Sequence, residues 1–427
     1  MINWLFSIKF QKLLFRLFIF LLPTQLAKYF WLKQSFIFGI RVDYLAITFY
    51  LTDILLLLIV ITWLVKLKRG NITLLVKRYI LNKWTLVIGG FAICNVLLST
   101  VPEISLMKWL KLLEICLLII YIVEKKDLNI IYDFVYPLIF SSMFFSTLAI
   151  LQFYYQETLG GIFYFLGERS FNSETAGIAK VSVFGRDYLR AYSTFAHPNA
   201  MAGFMVVVLL FVFQFVNGSK IKTLILVPFF FLNSVALLLT FSKGALIALI
   251  VIIPFVVFEK YHGGITKVIY RFCVLLFILF SLLLLLIPIN STEPFVFQRL
   301  ILNKAAIDMF VKHPLFGVGL NNFIINLPLL TDLYNLQWIL QPAHNIYLLI
   351  LAESGVIGLI LFTVLTIRMM NKVKDSSLKY LLLFILTTGL IDHYWLTLQQ
   401  NILLLAIVYA ITQTTSKQSV VVLKDNG

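Results

Sequence analysis

Apolar residues recur in runs of about 20 along the chain, the length that crosses roughly 30 Å of hydrocarbon as a helix. Twelve such runs stand out, at 10–31, 44–65, 79–98, 104–123, 130–154, 198–216, 223–241, 245–258, 268–288, 345–367, 380–391 and 394–412. The pattern predicts an all-α, polytopic integral membrane protein of about 12 transmembrane helices, forming a single membrane domain. Two outer connections are long, 155–197 between the fifth and sixth runs and 289–344 between the ninth and tenth. Long loops on a compact scaffold usually carry function, so the chemistry is expected there. The first run is flanked by Lys9, Lys12 and Arg16 without a small-residue cleavage site behind it, and reads as a retained span.

Composition agrees with a bilayer setting. Of 427 residues, 61% are hydrophobic and only 13% charged, whereas soluble domains are nearer half apolar. With a cytoplasmic N-terminus, the inner connections hold 21 Lys or Arg against 5 acids, and the outer ones ten of each sign. The net charge of +16 is therefore a topology signal and a contact with anionic lipid head groups, and no nucleic-acid partner is expected. Cys94, Cys116 and Cys273 all fall in predicted spans, which leaves no disulfide framework.

Against this background the few charges at the outer face are informative. Residues 223–258 are 36 positions whose one charge is Lys243. At 1.5 Å per residue they would extend ~54 Å, too long for one crossing, so TFSKG (240–244) divides two spans. Only about 21 Å of helix then remains from Ala245 to Phe258. Lys243 is thereby set below the outer surface, unless its stem snorkels to the head groups.

In the second long loop Thr292 and Pro294 open a helix predicted over 294–312, which HPLFGVG (313–319) ends. Lys304, Asp308 and Lys312 satisfy one another along one face of it, whereas Arg299 points the other way with no anion among its helical neighbours, so its partner must be another loop's carboxylate or an anionic substrate. In the first long loop Asp187 can neutralise Arg186 or Arg190, which leaves Arg190 open as a substrate contact. His197-Pro198-Asn199 reads as the start of the sixth span, with Asn199 as its cap. His344 follows Pro342 at the outer end of the tenth span. Glu353 is nine residues further, on the opposite face, so the two form no dyad. Beside Gly355 and Gly358, that glutamate is expected to pair within the bundle.

Several cations and one imidazole, with no acidic cluster, no D-x-D and no metal-spaced His/Cys/Asp set, suit a substrate whose diphosphate leaves while a hydroxyl attacks. No cofactor and no metal ion is expected. The order T-x-S-K-G-A (240–245), then Arg299 followed by HPLFGVG, then AHNIYLLILAESGVIG (343–358) resembles the O-antigen ligase and polysaccharide polymerase superfamily, specifically over 190–360. The resemblance implies a GT-C type architecture in a bacterial inner membrane, with both termini cytoplasmic. It implies metal-independent, inverting transfer of a glycan from undecaprenyl diphosphate to a lipid-linked sugar (polymerase) or lipid A-core (ligase), at the extracytoplasmic face. A chain-length regulator is a further candidate partner. Carried over, His344 is similar to the family's essential histidine and Arg299 to its loop arginine. Lys243 stands where arginine is usual, keeping the charge without the bidentate fork, and Arg190 matches an arginine before H-P-N. His344 and Arg299 are thus the expected catalytic residues, and Lys243, Arg190 and Arg299 the diphosphate ligands. The rival reading is a flippase for lipid-linked oligosaccharide, which would line a central cavity with its charges.

Overall fold

The computed structural model describes residues 7–216, 221–259, 294–330, 340–373 and 376–425. It is mostly helical, with three small two-stranded sheets. Ser7 caps α1 (Ile8–Phe20), its hydroxyl accepting from Phe10 N at 3.0 Å. Pro23, which has no amide hydrogen to continue a helical ladder, lies just beyond. The first apolar run therefore divides. After the helix comes β1 (Ala27–Phe30), then a tight hairpin of β2 (Phe36–Ile37) and β3 (Ile40–Arg41), then β4 (Ile47–Tyr50). Strands β1 and β4 pair antiparallel, Ala27 opposite Tyr50 and Phe30 opposite Ile47. Chain expected inside the bilayer instead forms a stranded segment between α1 and α2, with alternate residues of β1 facing in and out at strand period.

Next come α2 (Leu51–Leu64), α3 (Arg69–Leu75), α4 (Lys83–Leu97) and α5 (Pro102–Glu124). A wide turn at Ile130–Val135 leads into α6 (Tyr136–Tyr155). The first long loop carries β5 (Lys180–Val183) and β6 (Arg186–Leu189), followed by α7 (Pro198–Val216), α8 (Thr223–Leu239) and α9 (Lys243–Glu259). The helix predicted in the second long loop is α10 (Pro294–Lys312), followed by the short α11 (Phe323–Asn326). The chain closes with α12 (Ile346–Lys372), α13 (Ser376–Thr388), the one-turn α14 (Tyr394–Thr397) and α15 (Gln399–Asp425).

Among the described residues three helices are long and apolar enough to cross a membrane: Ile130–Tyr155, Pro198–Val216 and Ile346–Lys372. They become four if the pair Arg69–Ile80 and Lys83–Leu97, bent by 63°, counts as one broken span. Other predicted spans fall short for visible reasons. Helices α2, α8 and α13 are short, and α5 carries Lys108, Lys111 and Glu114 within its apolar stretch. The run at 268–288 lies outside the described residues.

The tenth span is not continuous. Gly355 sits at φ 64° inside α12, and HPLFGVG threads the break. Val318 and Gly319 donate to the freed carbonyls of Ala352 and Glu353 (2.9 and 3.1 Å), while Val356 and Ile357 donate to Pro314 and Leu315 (2.8 and 3.4 Å). Asn95 Nδ2 adds bonds to the Phe316 and Glu353 carbonyls at 2.8 and 3.0 Å. Irregular backbone at membrane depth survives only when its polar groups are satisfied by protein, as here. The glutamate of the ESG triplet belongs to this joint. Its carboxylate accepts from Phe323 N at 3.3 Å and faces Lys108.

Two apolar cores result. The larger joins α1, α2 and α5–α9 with α13 and α15, and the smaller gathers Val42 and Leu45 of the stranded segment between α1 and α2, Leu302 and Met309 of α10, and Leu349 and Ala352 of α12. The candidate site lies at the seam between them.

Candidate functional site

The start of α12 is tied to the end of α13. Ile346 N donates to Gly389 O at 2.8 Å and Tyr347 hydroxyl to Leu386 O at 2.8 Å. Asn345 caps α12, accepting from Tyr347 N and Leu348 N at 2.9 and 3.1 Å. His344 is thereby held against the turn after α13, where Asp392 and His393 lie. Trp395 pins that turn from the other side, its indole donating to Thr388 Oγ1 at 2.8 Å.

His344 Nδ1 is 3.5 Å from Asp392 Oδ1, within ion-pair reach but not aligned as a hydrogen bond. Its other nitrogen, Nε2, lies 3.2 Å from the Gln341 side-chain oxygen. Asp392 is held on both oxygens. Oδ1 accepts from His393 N at 2.8 Å, and Oδ2 from Asn199 Nδ2 at 2.9 Å. Asn199 in turn accepts from Arg190 Nη2 at 2.7 Å, and Arg190 Nε donates to Thr240 O at 2.6 Å. A continuous polar chain thus runs His344–Asp392–Asn199–Arg190–Thr240. The His393 ring lies 5.0 Å from that of His344, edge-on to Tyr44 at 5.7 Å, with its Nδ1 2.7 Å from Thr397 Oγ1.

Burial would raise the Asp392 carboxyl, but His344 beside it, with His393 and Arg299, holds it well below the usual range. Burial lowers His393 and His197 to about 3, against the pull of Asp392, so both imidazoles are neutral. Unfolded imidazoles take up protons below about pH 6.5 while these two do not, so the unfolded chain gains protons first and stability falls with acidification. The melting temperature in detergent is expected to drop by several degrees from about pH 7.5 to 5. An unchanged melting temperature would mean that the two rings accept protons in the fold. Below about pH 4 the unfolded chain also protonates Asp392 while the fold keeps it ionised, which adds a separate destabilisation.

Of the four residues singled out from sequence, Arg190, Arg299 and His344 come together around Asp392. Arg299 is exposed, with no hydrogen bond or salt bridge among the described residues, and its charge acts on Asp392, His393 and Arg190. Lys243 is three residues from the Thr240 carbonyl that anchors Arg190, exposed at the first turn of α9. Asp187, offered as a counter-ion for Arg190, instead lies in β6 opposite Ser182, and Arg190 is bonded to neutral oxygens. Asn199 does not cap α7; His197 Nδ1 accepts the Asn199 amide at 3.1 Å, which frees the Asn199 side chain to bridge.

Asp392 and His393 were missed. A signal existed, since Asp392 is the sole Asp, Glu, Lys or Arg between residues 380 and 416. Their arrival also alters the metal question. His344, Asp392 and His393 offer ligand atoms all within 4.8 Å of one another, a set no sequence spacing announced. Three such donors are a divalent-cation chemistry in outline. Each Asp392 oxygen already accepts one hydrogen bond, from His393 N and from Asn199 Nδ2, and His393 Nδ1 lies against Thr397 Oγ1.

The site can therefore orient an imidazole by a buried carboxylate and hold anionic groups on guanidinium donors. Residues 228–363, which contain Lys243, Arg299 and His344, match the family described as O-antigen ligase. No curated protein matches the chain.

Proposed function

We propose, from the place in the O-antigen ligase superfamily that the match over 228–363 supports, that this membrane protein transfers a glycan from undecaprenyl diphosphate to a lipid-anchored sugar. The reaction is a metal-independent inverting transfer at the extracytoplasmic face of a bacterial inner membrane, within a GT-C type scaffold of twelve spans with cytoplasmic termini. The observation that carries the reading is the convergence of Arg190, Arg299 and His344 on Asp392.

His344 Nδ1 faces Asp392, which orients the ring and stabilises the imidazolium formed in the reaction. The acceptor hydroxyl takes the place of Gln341 at Nε2 and gives up its proton there. Its oxygen attacks the anomeric carbon as the diphosphate leaves, and Arg299, Arg190 and Lys243 hold the charge that builds on the departing phosphate. A polymerase and a ligase differ only in which lipid carries the acceptor.

The test uses the purified full chain with undecaprenyl-diphosphate glycan and a chelator. Transfer is expected to continue; dependence on an added divalent ion would assign His344, Asp392 and His393 to a metal instead. Arg299→Ala should lose about 10²-fold in rate, with Arg299→Lys recovering part of it. A wild-type rate in Arg299→Ala would remove the guanidinium from the scheme. A product ladder on the lipid carrier indicates a polymerase, and one on lipid A-core a ligase. Movement of intact donor across the bilayer without transfer would favour the flippase.

A further inference from the structure

Behind the His393 side of the site lies a cavity of about 570 Å³ that the transfer scheme does not use. It is bounded above by the stranded segment between α1 and α2, and at depth by α2, α5 and α15. Its upper end touches the site itself. Tyr44 lies edge-on to His393, Thr397 is bonded to His393 Nδ1, and Ala196 precedes His197.

The lining changes character with depth. At the top are Tyr29, Tyr44, Asn321 and Gln25, aromatic faces and amides of the kind that hold sugars. Gln25 Oε1 is buried with no hydrogen-bond partner among the described residues, an acceptor awaiting a donor. Next come three cations. Lys111 is already neutralised by Asp53 and Glu114. Arg169 is bonded only to the Ala196 carbonyl and stacked near Phe171 and Tyr192, and Lys108 faces Glu353 without a salt bridge. Among the described residues neither has a carboxylate within salt-bridge distance, and the acid at this end, Asp43, is exposed. Deeper still the lining is Leu57, Val60, Leu113 and Leu117, with Leu57 and Leu113 more than half exposed, so this end forms a groove open along its side. From Ile104 to Leu117 the α5 wall runs for ~20 Å.

We infer that this cavity is the acceptor site, and that the acceptor is a sugar on a phosphate-bearing lipid with a single apolar tail. The inference rests on the transfer reading above. There the diphosphate of the donor lies on the Arg190–Arg299 side of Asp392, and inversion requires the attacking hydroxyl to arrive from the opposite face of the sugar. The cavity meets the site beside His393, through Tyr44, Thr397 and Ala196, and none of Arg190, Arg299 or Lys243 lines it. Its three zones match sugar, phosphate and tail in order, and its volume suits one chain and not a cluster of acyl chains.

The test uses the full chain with His344→Ala, so that binding is read without turnover, and a photoreactive side chain at Leu113. The probe is farnesyl diphosphate bearing one tritiated hexose. Crosslinking is expected, with at least about tenfold suppression by excess unlabelled probe and none by phosphatidylglycerol. Lys108→Gln with Arg169→Gln should weaken capture by roughly tenfold, the loss of charge-assisted hydrogen bonds to phosphate. Leu113→Trp, which fills the slot without touching a charge, should raise the acceptor KM of the otherwise wild-type chain and leave the donor KM unchanged. Equal competition by phosphatidylglycerol, meaning bulk lipid only, would overturn the inference, as would capture indifferent to the charge variants. Normal transfer with no capture defeats the cavity assignment alone, whereas capture without any transfer by the wild-type chain defeats the transfer reading.

Discussion

His344→Ala is expected to lose about 10²–10⁴-fold in transfer rate, the range for a lost general base, while inserting and folding as the wild type. The side chain is 13% exposed and its ring rests on Asp392 and His393 without filling either core, so truncation leaves the helices packed. Asp392→Asn separates the roles. It keeps the shape and the Asn199 contact, gives up the bond from His393 N, and removes the anion that orients and charges the imidazole, so kcat should fall with little change in KM and the pH profile should shift. Steady-state rates across pH on the purified chain decide the matter. A His344→Ala chain at full rate ends the base assignment. An Asp392→Asn chain with a wild-type profile reduces the carboxylate to a packing group.

Gly355→Val is expected to abolish a stable fold around the site. A side chain there meets a left-handed backbone at φ 64° and a Cβ position 2.3 Å from the Leu315 carbonyl oxygen. Strain of about 1–3 kcal/mol for the backbone is compounded by the four hydrogen bonds that cross the break, each worth about 1 kcal/mol net. A loss of that size approaches the whole stability of many domains. Thermal unfolding and recovery after solubilisation measure it, with Gly70→Ala as the control, since a Cβ at Gly70 meets nothing within 4 Å. An unchanged melting temperature in Gly355→Val would show that HPLFGVG is not clamped into α12.

Much of the helical plan was legible because a helix of apolar residues satisfies its own backbone, and so depends on little outside its own run. The α10 boundaries, the place of His344 just before α12 and the separation of His344 from Glu353 follow from caps, prolines and 3.6-residue periodicity alone. The end of the first run was misread because β1 continues the apolar character of α1, and only the pairing of β1 with β4 distinguishes them. The break in α12 was hidden for a similar reason. A glycine after Glu-Ser looked like a close-packing position, and its left-handed geometry depends on a segment that reaches it from residues 314–319.

The sequence by itself determined the apolar class of the protein and three of the residues that gather near Asp392, since each is a local statement about residues that are costly in hydrocarbon. Only the tertiary structure decided what those residues meet. Asp392 lies 48 residues beyond His344 and 193 beyond Asn199 in the chain. No periodicity spans such intervals, and their contact exists because α12 and α13 are bound end to end and α7 begins beside them. An imidazole becomes an oriented base only when a carboxylate is brought to its far nitrogen, and that approach is a property of packing.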